Sequence, residues 1–168
     1  MRIAVRYQSQ GGNTRVVAQA IANAAGVTAE PLGIPLKEPV DLLFIGGGIY
    51  AGTLDRSLKD YLISLDPDNI KSIAAFSTSG IKSGAGSIAT IAEKAGIHVC
   101  EKQLSLKFGF HRSKGNDDLT DKQKQLIDDF VKETLESIQN SSKKISPRAE
   151  KGIDKIKNCA YNDINIRN

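Results

Sequence analysis

With 168 residues, 40% of them hydrophobic and 25% charged, the chain has the length and balance of one globular domain with an appendage, able to bury a core without disulfides or metals. Two cysteines (Cys100, Cys159) and two histidines (His98, His111) stand in no metal-ligand spacing, which excludes zinc, haem and iron–sulfur sites. The net charge of +4 sits in the tail: residues 1–139 carry 16 basic and 16 acidic residues, residues 140–168 carry 7 and 3, which excludes a nucleic-acid-binding body and indicates a basic appendage.

In chain order, residues 2–7 (RIAVRY) read as a first strand. Its arginines and its brevity do not make the apolar segment of a signal peptide. After the polar turn SQGGNT, a helix is expected from Arg15 to Ala25, with Val16, Val17, Ala20, Ile21 and Ala24 on one side. Residues 27–32 form a weak second strand closed by Pro31, Gly33 and Pro35, followed by a short or absent helix. DLLFIG (41–46) is a nearly continuous apolar run, as in a strand buried on both faces. A helix from about Asp55 to Leu65 presents Leu58, Tyr61, Leu62 and Leu65 on one face, and Pro67 ends it. IAAFS (73–77) is the fourth strand. A helix from about Ser87 to Lys94 stops at Gly96. IHVCEKQLSLKFGF supplies a fifth strand broken in two. The last body helix starts at the N-cap Thr120 and ends near Ser137. Beyond Asn140 come a polar linker and a short basic helix, with Ser146 as N-cap and Pro147 at N1.

Strands alternating with helices predict a doubly wound parallel sheet with helices on both faces. In such sheets ligands bind beyond the carboxyl ends of the strands. Three unusual loops fall there. Ser9, Gln10, Gly11, Gly12, Asn13 and Thr14 join a strand to a helix N-terminus, where backbone amides and the helix dipole favour an anion such as a phosphate. A turn whose Asn13 or Thr14 merely caps the helix is the alternative. After strand three, Gly46 to Gly48 permit close backbone approach to a ligand, and Ile49 and Tyr50, followed by Ala51, Gly52 and Thr53, suit the covering of a flat heteroaromatic. After strand four, Ser77, Thr78, Ser79 and Gly80 offer hydroxyls and amides that could equally belong to a polar turn.

The three loops together resemble those of the flavodoxin family, over roughly residues 1–139. SQGGNT resembles the family's phosphate-binding end, GGGIYAGTLDRSLKDYL the segment that covers one flavin face, and FSTSG the loop on its other side. The middle segment looks closest to the branch containing flavodoxin-type protoporphyrinogen oxidases. The resemblance implies strand order 2-1-3-4-5 and non-covalently held flavin mononucleotide (FMN). Ser9–Thr14 would hold the phosphate, Gly47, Gly48, Ile49, Tyr50, Ala51 and Gly52 would meet one ring face, and Ser77–Gly80 the ribityl or pyrimidine side. It implies electron transfer with a redox protein or a small-molecule acceptor, and neither a catalytic acid or base nor a metal. Two features depart from the family. The chain has no tryptophan and its strand-four loop no aromatic, and the body is neutral where electron-carrier flavodoxins are very acidic.

Rival assignments for the architecture fail by residue. A receiver domain needs carboxylates where Tyr7, Gln8 and Gly46 stand, a Walker A loop needs more than GIKSG, and G-x-G-x-x-G is absent after strand one. Within the flavin-binding class, a carrier competes with an FMN-dependent oxidoreductase (a quinone or nitro reductase, or a protoporphyrinogen-type dehydrogenase) whose open flavin face admits substrate. A flavin-free interaction module is a third reading. His111, Arg112 and Lys114 could meet a nucleotide or acidic substrate or form a solvated loop, His98 and Cys100 read as structural, and Cys159 has no assigned role. No run reaches the roughly 18 apolar residues of a membrane span, so a cytoplasmic location is expected. If Ile153 and Ile156 share a face beside Lys151, Lys155 and Lys157, the basic tail would contact an acidic partner or anionic membrane; a helix packed on the body to cover an apolar patch is the alternative. Ile145 and Tyr161 are the tail's other apolar residues.

Overall fold

The computed structural model describes residues 1–37, 39–50, 52–79, 84–108 and 119–160, with backbone alone for Ser79 and from residue 142 onward. The chain forms two units, Met1–Thr134 and Leu135–Asn168.

The first unit is built on β1 (Ile3–Gln8), β2 (Ala29–Pro31), β3 (Leu42–Tyr50), β4 (Thr53–Leu54), β5 (Ser72–Ser79), β6 (His98–Val99) and β7 (Leu104–Lys107). β1 pairs in parallel with β2 and β3, β3 with β5, and β5 with both β6 and β7. With β6 and β7 counted as one interrupted strand, the parallel order is 2-1-3-4-5, and the fifth strand is broken as expected. The short β4 adds an antiparallel hairpin on β3. Proline at the end of β2 suits an edge strand, because it has no N–H to give to a further neighbour.

The helices are α1 (Asn13–Ala25), α2 (Arg56–Ser64), α3 (Ala85–Lys94) and α4 (Asp121–Ala160), and α1 to α3 and the part of α4 up to Thr134 belong to the unit of the sheet. Alternation along β3 assigns them to faces. Leu43 and Ile45 join Ile73 and Ala75 in a core closed by Leu58 and Leu62 of α2 and by Ile88 and Ala92 of α3. Phe44, of opposite parity, meets Phe130 of α4 edge-on at 5.6 Å between ring centroids. Between β2 and β3 there is no helix among the described residues, and only a loop crosses that part of the sheet. There Arg6, only 3% exposed, pairs with Glu30 at 2.7 Å and donates to the carbonyls of Ile34 and Pro35. Buried arginine charge is thus fully partnered.

Two elements differ from expectation. β3 does not end at Gly46 but continues through the glycines to Tyr50, because neighbouring side chains fill the space where glycine has none. A Cβ on Gly46 would lie 2.3 Å from the Phe76 ring, and one on Gly47 2.4 Å from Leu58. The last helix does not stop near Ser137, and no separate helix begins at Ser146. α4 starts at the expected cap, where Thr120 and Gln123 exchange bonds in a capping box, and runs on to Ala160 in the second unit. The serines do not break it, because they satisfy the helix from within: the Ser141 hydroxyl donates to the Ser137 carbonyl at 2.9 Å. Pro147 costs the ladder the one bond its missing N–H would make. α1 and α3 each begin two residues earlier than expected, and Ala18 and Ala22 are buried on α1 where Ala24 is exposed. Among the described residues no helix is long and apolar enough to cross a membrane.

Candidate functional site

β1, β3 and β5 end at the same edge of the sheet, in register: Gln8 pairs with Gly47, and Gly48 with Thr78. The chain leaves β1 through Ser9 and turns into α1 at Gly12, whose φ of 89° lies in the left-handed region that glycine tolerates. The Ser9 hydroxyl accepts from the Gly12 N–H at 3.1 Å and fixes the turn. No side chain caps α1. The first N–H groups of a helix lack partners within it, so neither Asn13 nor Thr14 acts as the cap that an ordinary turn would need.

A cleft of about 140 Å³ lies at this edge. Gly11, Asn13 and Thr14 form one side, Gly48, Ile49 and Tyr50 another, and Thr78 and Phe108 complete it. The three loops singled out by sequence therefore meet around one cleft, each contributing at least one residue. Thr14 is 1% exposed and Thr78 5% exposed, and their hydroxyls lie 2.6 Å apart. This bond uses one of their two hydrogens, and the pair carries a second for a ligand oxygen in the cleft.

The β3–β4 hairpin is stitched to the first loop through one residue. The Gln10 N–H donates to the Tyr50 hydroxyl at 2.9 Å, and the Gln10 side-chain amide donates to Asp55 at 2.8 Å. Asp55 also caps α2. Hydrogen bonds from the Ser57 hydroxyl and N–H, and then from Gln10, hold its carboxyl below the usual carboxylate range. Gly52, at φ 81°, sits in the two-residue hairpin turn between Tyr50 and Thr53.

Not every expected residue reaches the cleft. Ser77 has the opposite parity to Thr78 on β5, and its hydroxyl accepts from the Gly84 N–H and bonds Ser105, both at 3.0 Å. It joins α3 and β7 to the sheet. Gly47 packs under Leu58. Ala51, Gly80, His111, Arg112, Lys114 and Tyr161, and the side chain of Ser79, lie outside the described residues, as do those of Ile145, Lys151, Ile153, Lys155, Ile156, Lys157 and Cys159. The sequence reading missed Phe108 as a lining residue; the aromatic pair of KFGF just past a strand end was the available signal. His98 bonds Ser72 at 3.2 Å, and burial pushes the Cys100 thiol up to about 11, so this cysteine is unreactive at neutral pH.

Solved structures share this fold. A flavodoxin from the domain Archaea superposes with a TM-score of 0.67 at 19% identity, over 83% of this chain and 99% of its own. The chain has the flavodoxin fold. The oxidised flavodoxin 2 of Bacillus cereus matches at TM-score 0.58 and 17% identity, over 82% of this chain and 99% of that one. The flavodiiron core Flv1 of Synechocystis sp. PCC6803 matches at 0.64 and 16%, over 84% of this chain but 36% of the larger one. No family model matches the chain, and no curated protein matches it by sequence. At these identities the likeness is one of fold.

Proposed function

We propose that this flavodoxin fold binds FMN non-covalently at the cleft and serves in electron transfer, with residues 1–139 as the binding domain. The carrying observation is the chemistry of the cleft. A strand-to-helix loop opens onto it without a side-chain cap, and a buried hydroxyl pair beside that loop holds a surplus hydrogen. Both features suit a phosphate. Residues Ser9–Thr14 and Thr78 would hold that end. Gly48, Ile49 and Tyr50 would lie along the ring, with Phe108 a further aromatic. Bound FMN supplies one- and two-electron redox chemistry, and the protein supplies position and electrostatics. The buried, protonated Cys100 fits a reducing cytoplasm, which we take as its location. The basic extension, residues 140–168, would contact an acidic redox partner or anionic membrane.

One observation favours a second reading, that of an FMN-dependent oxidoreductase of the quinone, nitro or protoporphyrinogen type. Ile49 is a wall shared by the first cleft and a neighbouring one of about 490 Å³, which Leu54, Lys59, Thr90 and Ile91 also line. A substrate there would abut the flavin site. The test begins with the spectrum of the purified full chain. Yellow protein that releases FMN on denaturation, with FMN bound far more tightly than riboflavin, is the expected result. Colourless protein that takes up no added FMN overturns the proposal. Steady turnover of a quinone with reduced nicotinamide as donor would select the enzyme over the carrier.

A further inference from the structure

The first loop and the β3–β4 hairpin share a contact beside the cleft. Tyr50 lines the cleft together with Gly11, Asn13 and Thr14, and its hydroxyl accepts the Gln10 N–H at 2.9 Å. That amide stands one residue before Gly11, which lines the cleft, and is held by a side chain that lines it too. The ring reaches it by lying across Gly48: a Cβ there would stand 2.9 Å from the Tyr50 hydroxyl oxygen and 2.9 Å from the ring carbon that bears it. The hairpin holds the ring in place through the Tyr50–Thr53 pairing and through Asp55, which accepts from the Gln10 side chain.

We infer that Tyr50 sets the discrimination between phosphorylated and unphosphorylated flavin, because its hydroxyl occupies a backbone donor that a phosphate oxygen must take over. The inference rests on the proposed FMN site. A hydroxyl is a neutral acceptor with limited charge, and a phosphate dianion is the stronger partner for the same N–H. FMN therefore displaces the hydroxyl, and the cost of breaking that bond is subtracted from its affinity. Riboflavin has no phosphate and leaves the Gln10–Tyr50 bond intact, so it bears no such cost. The hydroxyl thus narrows the gap between the two ligands, whereas the ring contributes to both alike.

The experiment compares the full chain, stripped of flavin, with its Tyr50→Phe variant, titrating each with FMN and with riboflavin. Phenylalanine keeps the ring and removes the acceptor. The riboflavin-to-FMN ratio of dissociation constants is expected to rise about fivefold in the variant, the range of one neutral hydrogen bond, with the gain on the FMN side. Inorganic phosphate supplies a second probe. It should alter the near-ultraviolet circular dichroism of tyrosine in the parent chain and leave the Tyr50→Phe variant unchanged. An unchanged or smaller ratio with FMN still bound overturns the inference and leaves the FMN site standing, as does a parent tyrosine signal indifferent to phosphate. A chain that takes up neither flavin overturns the FMN site and the inference with it.

Discussion

Two glycine-rich segments reach the same edge of the sheet, and they use glycine for opposite physical reasons. In the first loop a Cβ at Gly11 or Gly12 would meet nothing within 4 Å; Gly12 is needed for its φ of 89°, and Gly11 lines the cleft. In β3 the glycines are in regular strand, and the space beside them is full: Phe76 lies over Gly46, Leu58 over Gly47, and the Tyr50 ring over Gly48. Glycine in the first case serves backbone conformation and ligand access. In the second it lets aromatic and aliphatic side chains approach the sheet closely. A run of glycines is therefore weak evidence of ligand contact until the neighbours are known.

The largest effect expected from this contrast is at Gly46. Gly46→Ala forces a methyl into the Phe76 ring and should destabilise the fold by about 3 kcal/mol, the upper range for overpacking. Gly11→Ala should cost less than about 0.5 kcal/mol, as at ordinary surface positions. Urea melts of both variants measure the difference, and equal losses would show that the two glycine segments do not differ in this way. Next, Thr14→Val removes the hydroxyl nearest the start of α1 while keeping its shape. FMN affinity should fall by about 1.5–3 kcal/mol, the range for a bond to a charged group, and riboflavin affinity should stay close to its original value. An equal loss for both flavins would show that Thr14 acts on the ring end or on the fold.

Asp55 gives a smaller, pH-dependent effect, because it links the hairpin to the first loop. Its pKa is lowered in the folded chain, chiefly by Ser57, so its contribution to stability is complete above the ordinary carboxylate pKa of about 4. That contribution is lost as pH falls below this value through the folded pKa. Asp55→Asn should remove part of the acid sensitivity while an amide oxygen keeps the cap, at a cost of less than about 0.5 kcal/mol at neutral pH. Stability curves for both proteins from about pH 7 to about pH 3 would test it, and curves that stay parallel through the acid range would exclude the role. The smallest effect on the fold is expected from truncation after Asn140. The described buried residues of α4 end at Thr134, so thermal stability and FMN affinity should hardly change, while a salt-sensitive association with an acidic partner or anionic vesicles weakens. A large loss of stability would assign the extension to the core.

Much of the fold was legible because period and punctuation are local properties. The continuous apolar run at Leu42–Ile45, the amphipathic α1 and α2, the Thr120 cap and the stop at Gly96, with its φ of 83°, each follow from a few neighbouring residues. The convergence of the three loops was legible too, since the alternation of strand and helix fixes which strand ends face the same way. Most of what stayed hidden depends on residues remote in sequence. That β3 continues to Tyr50 is decided by Phe76 and Leu58, and that Thr78 faces the cleft while Ser77 binds Ser105 is decided by the register of β5 against β3 and β7. The passage of α4 beyond Ser137 turns on serines that bond their own helix instead of ending it. The sequence by itself determined the order of the elements and the edge at which chemistry gathers. Only the tertiary structure decided which side chains occupy the space beside each backbone atom there, because much of that is set by packing between segments remote in sequence, such as Gly46 with Phe76, Gln10 with Tyr50 and Thr14 with Thr78.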